Sequence, residues 1–269
     1  MRKATLLLLT IFASAADAYA EWVHEKVSYE LEGTEFRGHL IYQRDAAMGR
    51  ENLPGLFMVP NWMGPDTAAT LEKAREIADD DFALFIADMY GTDTRPTNAK
   101  EAGEVAGFVR ADRALMRARA HKAVQVFQAL AHTHPIDTDK LLGIGFCFGG
   151  GTLLEYARGG SEDLKGIVSF HGDLASPTLE KDAARVETSL LVLHGADDPY
   201  VPQSDVQAFI AAMQDGNVED WTLVQFSNTV HSFTDPTADS DGARYQPRTA
   251  ERAFEMMEDF ADEVLELEN

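Results

Sequence analysis

One cysteine stands in a glycine-rich run, Gly143-Ile144-Gly145-Phe146-Cys147-Phe148-Gly149-Gly150. An apolar stretch, Leu141 to Phe146, leads into it, and a helical pattern begins at Gly149. The thiol therefore falls at a strand-to-helix turn. G-x-C-x-G-G at such a turn is the nucleophile-elbow pattern with Cys in place of Ser. The turn strains the backbone, and glycines two positions either side leave room where side chains would collide. Cys147 is expected to point outward. The N–H of Phe148, in the first turn of the helix, could stabilise both a thiolate and an oxyanion. The competing reading of the same run is a glycine-rich turn around a buried cysteine.

A nucleophile at an elbow needs a base and a group that orients the base, in the chain order nucleophile, acid, histidine. His194-Gly195-Ala196-Asp197-Asp198-Pro199-Tyr200-Val201-Pro202 closes an apolar strand with a turn, and Val230-His231-Ser232-Phe233 lies past the last predicted strand. Cys147 and Asp198 are 51 residues apart, and Asp198 and His231 are 33 apart, so all three lie beyond strand ends. Asp198 fits the spacing H-G-x-x-D-x-x-V, whereas Asp197 suits a turn residue bonded to its own backbone. His132 and His134 end a helix and His24 and His39 lie in an N-terminal hairpin, all expected at the surface. His171 and His194, at strand ends, are expected to be structural or to line a pocket.

No cofactor and no metal is expected. The chain lacks H-E-x-x-H, C-x-x-C and Walker patterns, and the run from Gly145 reads G-F-C-F-G-G, not G-x-G-x-x-G.

These residues need elements to carry them. Trp22 to Arg44 reads as two extended segments meeting at Glu32-Gly33-Thr34, an antiparallel hairpin. Apolar strands are predicted at Leu53–Pro60, Phe82–Met89, Leu141–Phe146, Leu164–Phe170, Ser189–His194 and Trp221–Phe226. Helical spacing runs through Asp66–Ala78 with Asp66 as N-cap, Asp112–Ala131, Gln203–Gln214 and Thr249–Leu265. Gly91–Glu104 and Thr234–Arg248 are the longest candidates for mobile loops. The alternation predicts an α/β fold, a mostly parallel sheet with helices on both faces and functional groups beyond the strands' carboxyl ends.

Apolar residues make up 45% and charged residues 25% of the 269, the proportions of a globular chain. The 23 Lys and Arg against 45 Asp and Glu give a net charge of −22, which repels phosphate backbones and argues against a nucleic-acid partner. Arg2 and Lys3, the apolar Leu6–Ala13 and Ala18-Tyr19-Ala20 read as an export signal over residues 1–20, with Glu21 first in the mature chain and the protein periplasmic or extracellular. Residues 21–269 are then expected to form one domain without a membrane span. In an oxidising compartment, Cys147 has no other cysteine in the chain to pair with.

From about Leu53 to the C-terminal helix the chain resembles the dienelactone hydrolase family of the α/β-hydrolase fold. Phe82-Ala83-Leu84-Phe85-Ile86-Ala87-Asp88-Met89-Tyr90-Gly91, Arg95-Pro96 and Ser169-Phe170-His171-Gly172 join the motifs above in carrying the likeness. The resemblance implies a Cys147, His231 and Asp198 triad, with Trp62 in Pro60-Asn61-Trp62-Met63-Gly64 giving a second oxyanion N–H beside that of Phe148. It places Asn61, Tyr90, Arg95 and His171 around the substrate. The family's dienelactone-cleaving members carry Glu where this chain has Asn61, so here His231 would activate the thiol directly. The implied substrate is a small carboxylic ester or lactone, cleaved through a thioester. Two rival readings are a family member that binds a small ligand without turnover, and a redox-responsive protein using an exposed Cys147.

Overall fold

The computed structural model of the protein describes residues 21–48 and 50–267; the proposed signal, residues 1–20, lies outside them. Eight strands form one sheet in the order β1-β2-β4-β3-β5-β6-β7-β8. The hairpin β1 (Trp22–Leu31) and β2 (Thr34–Gln43) turns at Glu32 and Gly33, both with positive φ, and β2 adds antiparallel to β4 (Ala83–Ile86). β4, β3 (Leu53–Val59), β5 (Ile136–Phe146), β6 (Gly166–Phe170), β7 (Ser189–Gly195) and β8 (Trp221–Phe226) run parallel. Their carboxyl ends thus share one edge, which is where the predicted site residues fall.

Two apolar layers hold the helices. After the five-residue α1 (Arg44–Met48), α2 (Ala68–Ala78) covers one face of the sheet together with α8 (Pro247–Val264). Ala74, Ala78, Ala253 and Met257 pack there on Met58, Ile144 and Phe170. The other face carries α3 (Ala99–Ala111), α4 (Arg113–Leu130), α5 (Phe148–Arg158), the short α6 (Leu179–Ala183) and α7 (Gln203–Asp215). Phe127 of α4 stacks on Phe85 at 5.5 Å between ring centroids, with no exposed surface on either residue.

Several sequence expectations shift. Asp66 does not cap α2: the Thr67 hydroxyl accepts from the Thr70 N–H at 3.1 Å, and Asp66 turns instead to His39 and Arg95. The strand predicted to reach Met89 stops at Ile86, because the buried Asp88 carboxylate accepts from the N–H groups of Tyr90, Gly91 and Arg37 and draws the chain out of the sheet. Gly91–Glu104 is not all loop: α3 starts at Ala99, where Asn98 accepts from the Glu101 N–H and Glu101 accepts from that of Thr97. Asn98-x-x-Glu101 is a capping pattern present in the sequence. The other predicted loop, after Thr234, is tied back by bridges His231–Ala243 and Asp239–Arg244.

Candidate active site

At the end of β5 the chain turns through Cys147 with φ 55° and ψ −114°, then enters α5. A non-glycine residue in this region costs about 1–3 kcal/mol, so the surrounding packing must hold it. The two flanking glycines show how. A Cβ on Gly145 would run into the carbonyl of Gly149, and one on Gly149 into the carbonyl of Val59. Buried charge fixes α5 from behind: Glu155, with no exposed surface, accepts from Arg117 at 2.7 Å and Arg158 at 3.1 Å. Cys147 is left half-buried.

His231 comes from the loop after β8. Its own backbone N–H donates to the Gly242 carbonyl, and its carbonyl accepts from Arg244. Its Nδ1 lies 2.7 Å from Asp198 Oδ2. Asp198 is buried, with its other oxygen accepting from the N–H groups of Tyr200 (2.8 Å) and Val201 (3.3 Å), while Asp197 is exposed. Of the two aspartates, the structure therefore brings Asp198 to the imidazole.

Burial alone would disfavour a charged His231 ring. Hydrogen bonding of the ring to Asp198 and Cys147, and the negative charge of both, outweigh it and push the ring up to about 10. Asp198 and Cys147 thus favour the protonated ring. Two rings press edge-on against it, His171 at 4.9 Å and Tyr200 at 5.3 Å. His171 is buried and held well below the usual histidine range, first by burial and then by the charges of His231 and Lys73. Its Nε2 pairs with Thr234 at 3.0 Å and its Nδ1 has no partner. His194 is likewise buried and lowered, chiefly by burial. Both are buried at the carboxyl ends of their strands.

Neither the Phe148 N–H nor the Trp62 N–H has an acceptor among the described residues, so both are available to an oxyanion. Tyr90 serves both segments: its hydroxyl donates to the Trp62 carbonyl at 2.9 Å and its ring packs on Phe148 at 5.4 Å. It is buried, and burial pushes its hydroxyl well above the usual range, followed by the nearby Cys147 charge. Tyr90 thus braces the two segments. Asn61 accepts from the Met63 N–H at 3.0 Å, folding the loop on itself.

Arg95 is held in a network of ion pairs. Its guanidinium binds Asp88 at 2.7 Å and Asp66 at 2.5 Å, because two carboxylates on neighbouring segments offer it a better partner than solvent. His39, expected at the surface, is 1% exposed and joins the same network through Asp66 at 2.9 Å. Among the described residues, no three His, Cys, Asp or Glu side chains converge as a metal site would require.

Comparison with known proteins identifies the family of the chain. Residues 39–265 match the model of the dienelactone hydrolase family. A solved structure called m3DLH is 33% identical, with a TM-score of 0.79 over 90% of this chain and 98% of that one. A dienelactone hydrolase-like promiscuous phosphotriesterase, P91, from metagenomic libraries is also 33% identical, with a TM-score of 0.80 over 91% and 99% of the two chains. An uncharacterized protein of Caenorhabditis elegans shares 30% identity over 139 residues, 51% of this chain and 87% of that one.

Proposed function

Given that this chain belongs to the dienelactone hydrolase family and is a hydrolase of the ester and lactone class, we propose that it works through Cys147, His231 and Asp198 by way of a thioester. The observation that carries this reading is the buried Asp198 carboxylate 2.7 Å from His231 Nδ1, with the one cysteine of the chain among the groups that raise the same ring. A proton taken up by His231 frees the Cys147 sulfur to attack.

The reaction runs in two halves. The Cys147 Sγ pair attacks the carbonyl carbon, and the negative charge on the carbonyl oxygen is met by the N–H groups of Phe148 and Trp62. As the tetrahedral species collapses, His231 gives its proton to the departing alkoxide, which leaves as an alcohol and leaves the acyl group on sulfur. Water then attacks the thioester while His231 takes one of its protons; the acid departs and thiolate and imidazolium are restored. Asp198 holds the ring's Nδ1–H throughout and stabilises its charge.

No carboxylate is needed at position 61 for this course. Asn61 is committed to its own loop, and His231 supplies the base. The reading is tested by rapid mixing with p-nitrophenyl acetate. A burst of nitrophenolate equal to the enzyme concentration supports it, and linear release from the first turnover with no acylated protein contradicts it.

A further inference from the structure

Two rings press on His231, and they differ in what they offer to a bound molecule. His171 is 2% exposed and packs on Phe233 at 5.1 Å, so its surface is already covered. Tyr200 is 63% exposed, with its centroid 5.3 Å from that of His231 and the two planes at 81°. Most of an aromatic side chain, which carries a large apolar area, is thus left open beside a buried imidazole.

The ring is held from both ends. The Tyr200 backbone N–H donates to Asp198 Oδ1 at 2.8 Å, and Oδ2 of the same carboxylate holds His231. Its hydroxyl lies over Gly242, where a Cβ would come within 2.9 Å of that oxygen, and the Gly242 carbonyl accepts from the His231 N–H. An aromatic surface fixed in this way need not be ordered when a ligand arrives.

Which part of a substrate meets the ring follows from the thioester course proposed above, on which this inference rests. Asp198 occupies Nδ1 of His231, so Nε2 hands the proton to the leaving oxygen, across about 3 Å. The acyl half stays on Cys147 with its oxygen turned to the N–H groups of Phe148 and Trp62. The alcohol half therefore departs past His231. Aromatic rings interact with their centroids about 4.5–7 Å apart, a reach that brings a ring on the alcohol to Tyr200.

We propose that Tyr200 is a specificity-determining residue for the leaving group, an exposed aromatic shelf that selects esters whose alcohol carries an aromatic ring.

The test compares kcat/KM for benzyl acetate and ethyl acetate in wild type, Tyr200→Phe and Tyr200→Ser, with thermal melts to establish folding. Comparing the benzyl-to-ethyl ratio between proteins cancels the different intrinsic reactivities of the two esters. Tyr200→Phe should keep that ratio within twofold, and Tyr200→Ser should lower it at least fivefold. The ratio of ethyl phenylacetate to ethyl acetate, which moves the ring to the acyl side, should change less than twofold in either variant. In the wild type, benzyl alcohol should inhibit ethyl acetate hydrolysis at least fivefold more strongly than cyclohexylmethanol, a result that needs no variant. If Tyr200 only braced the His231 loop, Tyr200→Ser would slow both acetates alike and leave the ratio unmoved, which would overturn the proposal. A fall in the phenylacetate ratio instead, or equal inhibition by the two alcohols, would overturn it as well. The nitrophenolate burst on the same wild-type protein separates the two claims. A burst with an unmoved benzyl-to-ethyl ratio overturns the role of Tyr200 alone, and the absence of a burst overturns the thioester course and this inference with it.

Discussion

The hydroxyl of Tyr90 donates to the carbonyl of Trp62 at 2.9 Å, and the same ring rests on Phe148 at 5.4 Å. One side chain therefore sets the spacing of the two segments whose N–H groups face the proposed oxyanion.

Tyr90→Phe removes that bond and keeps the ring. A single such bond contributes about 1 kcal/mol, so kcat should drop several-fold while KM changes little, the split expected when only transition-state contacts loosen. Steady-state kinetics on an aryl ester, with a thermal melt to establish folding, checks this. A change confined to KM would place Tyr90 in substrate binding.

The raised His231 ring predicts the alkaline limb of kcat/KM. Its imidazolium is the proton donor to the leaving group, so activity should fall as pH rises through about 10. Asp198→Asn removes the strongest of the groups that raise it, and the limb should move to lower pH. Stability follows the same sign. The ring's folded value lies above its ordinary 6.5, so its contribution is complete below 6.5 and is lost as pH rises through about 10. The melting temperatures of wild type and Asp198→Asn should therefore differ at pH 7 and draw together above pH 10.

Behind the nucleophile, Glu155 is buried between Arg117 and Arg158. Glu155→Ala leaves both guanidinium groups without it and should destabilise the fold by about 3–5 kcal/mol, read as a lower denaturant midpoint. A change below about 1 kcal/mol would show that the arginines find other partners.

How much of this was readable in the sequence depends on the range of the interaction. The elbow at Cys147 announces itself because its glycines are demanded by contacts within a few residues, and Asp198 sits at a fixed distance from the end of its own strand. Both were found. The burial of His39 and the ion pairs of Arg95 leave no local signal, because Asp66 is brought to them only by the sheet: His39 and Asp66 are 27 residues apart, and Arg95 and Asp66 are 29. Tyr90 was singled out, yet its bond to Trp62 spans 28 residues and follows from strand order, which no local pattern encodes. The start of α3 is a different case. Asn98 and Glu101 carried a local capping signal, and the polar composition around them obscured it.

Export is a separate expectation from the residues at the start of the chain. Intact mass of the protein recovered from an extracytoplasmic fraction should correspond to a chain beginning at Glu21, and a cytoplasmic protein retaining Met1 would contradict it.

The nucleophile itself is open to one decisive experiment. Wild type and Cys147→Ala are quenched during turnover of an aryl acetate and their peptides weighed. The acetyl group should be found on the Cys147 peptide of the wild type, and Cys147→Ala, folded by circular dichroism, should lose several powers of ten in turnover. An acetyl group on another residue, or a folded Cys147→Ala that hydrolyses at the wild-type rate, would show that the thiol is not the attacking group.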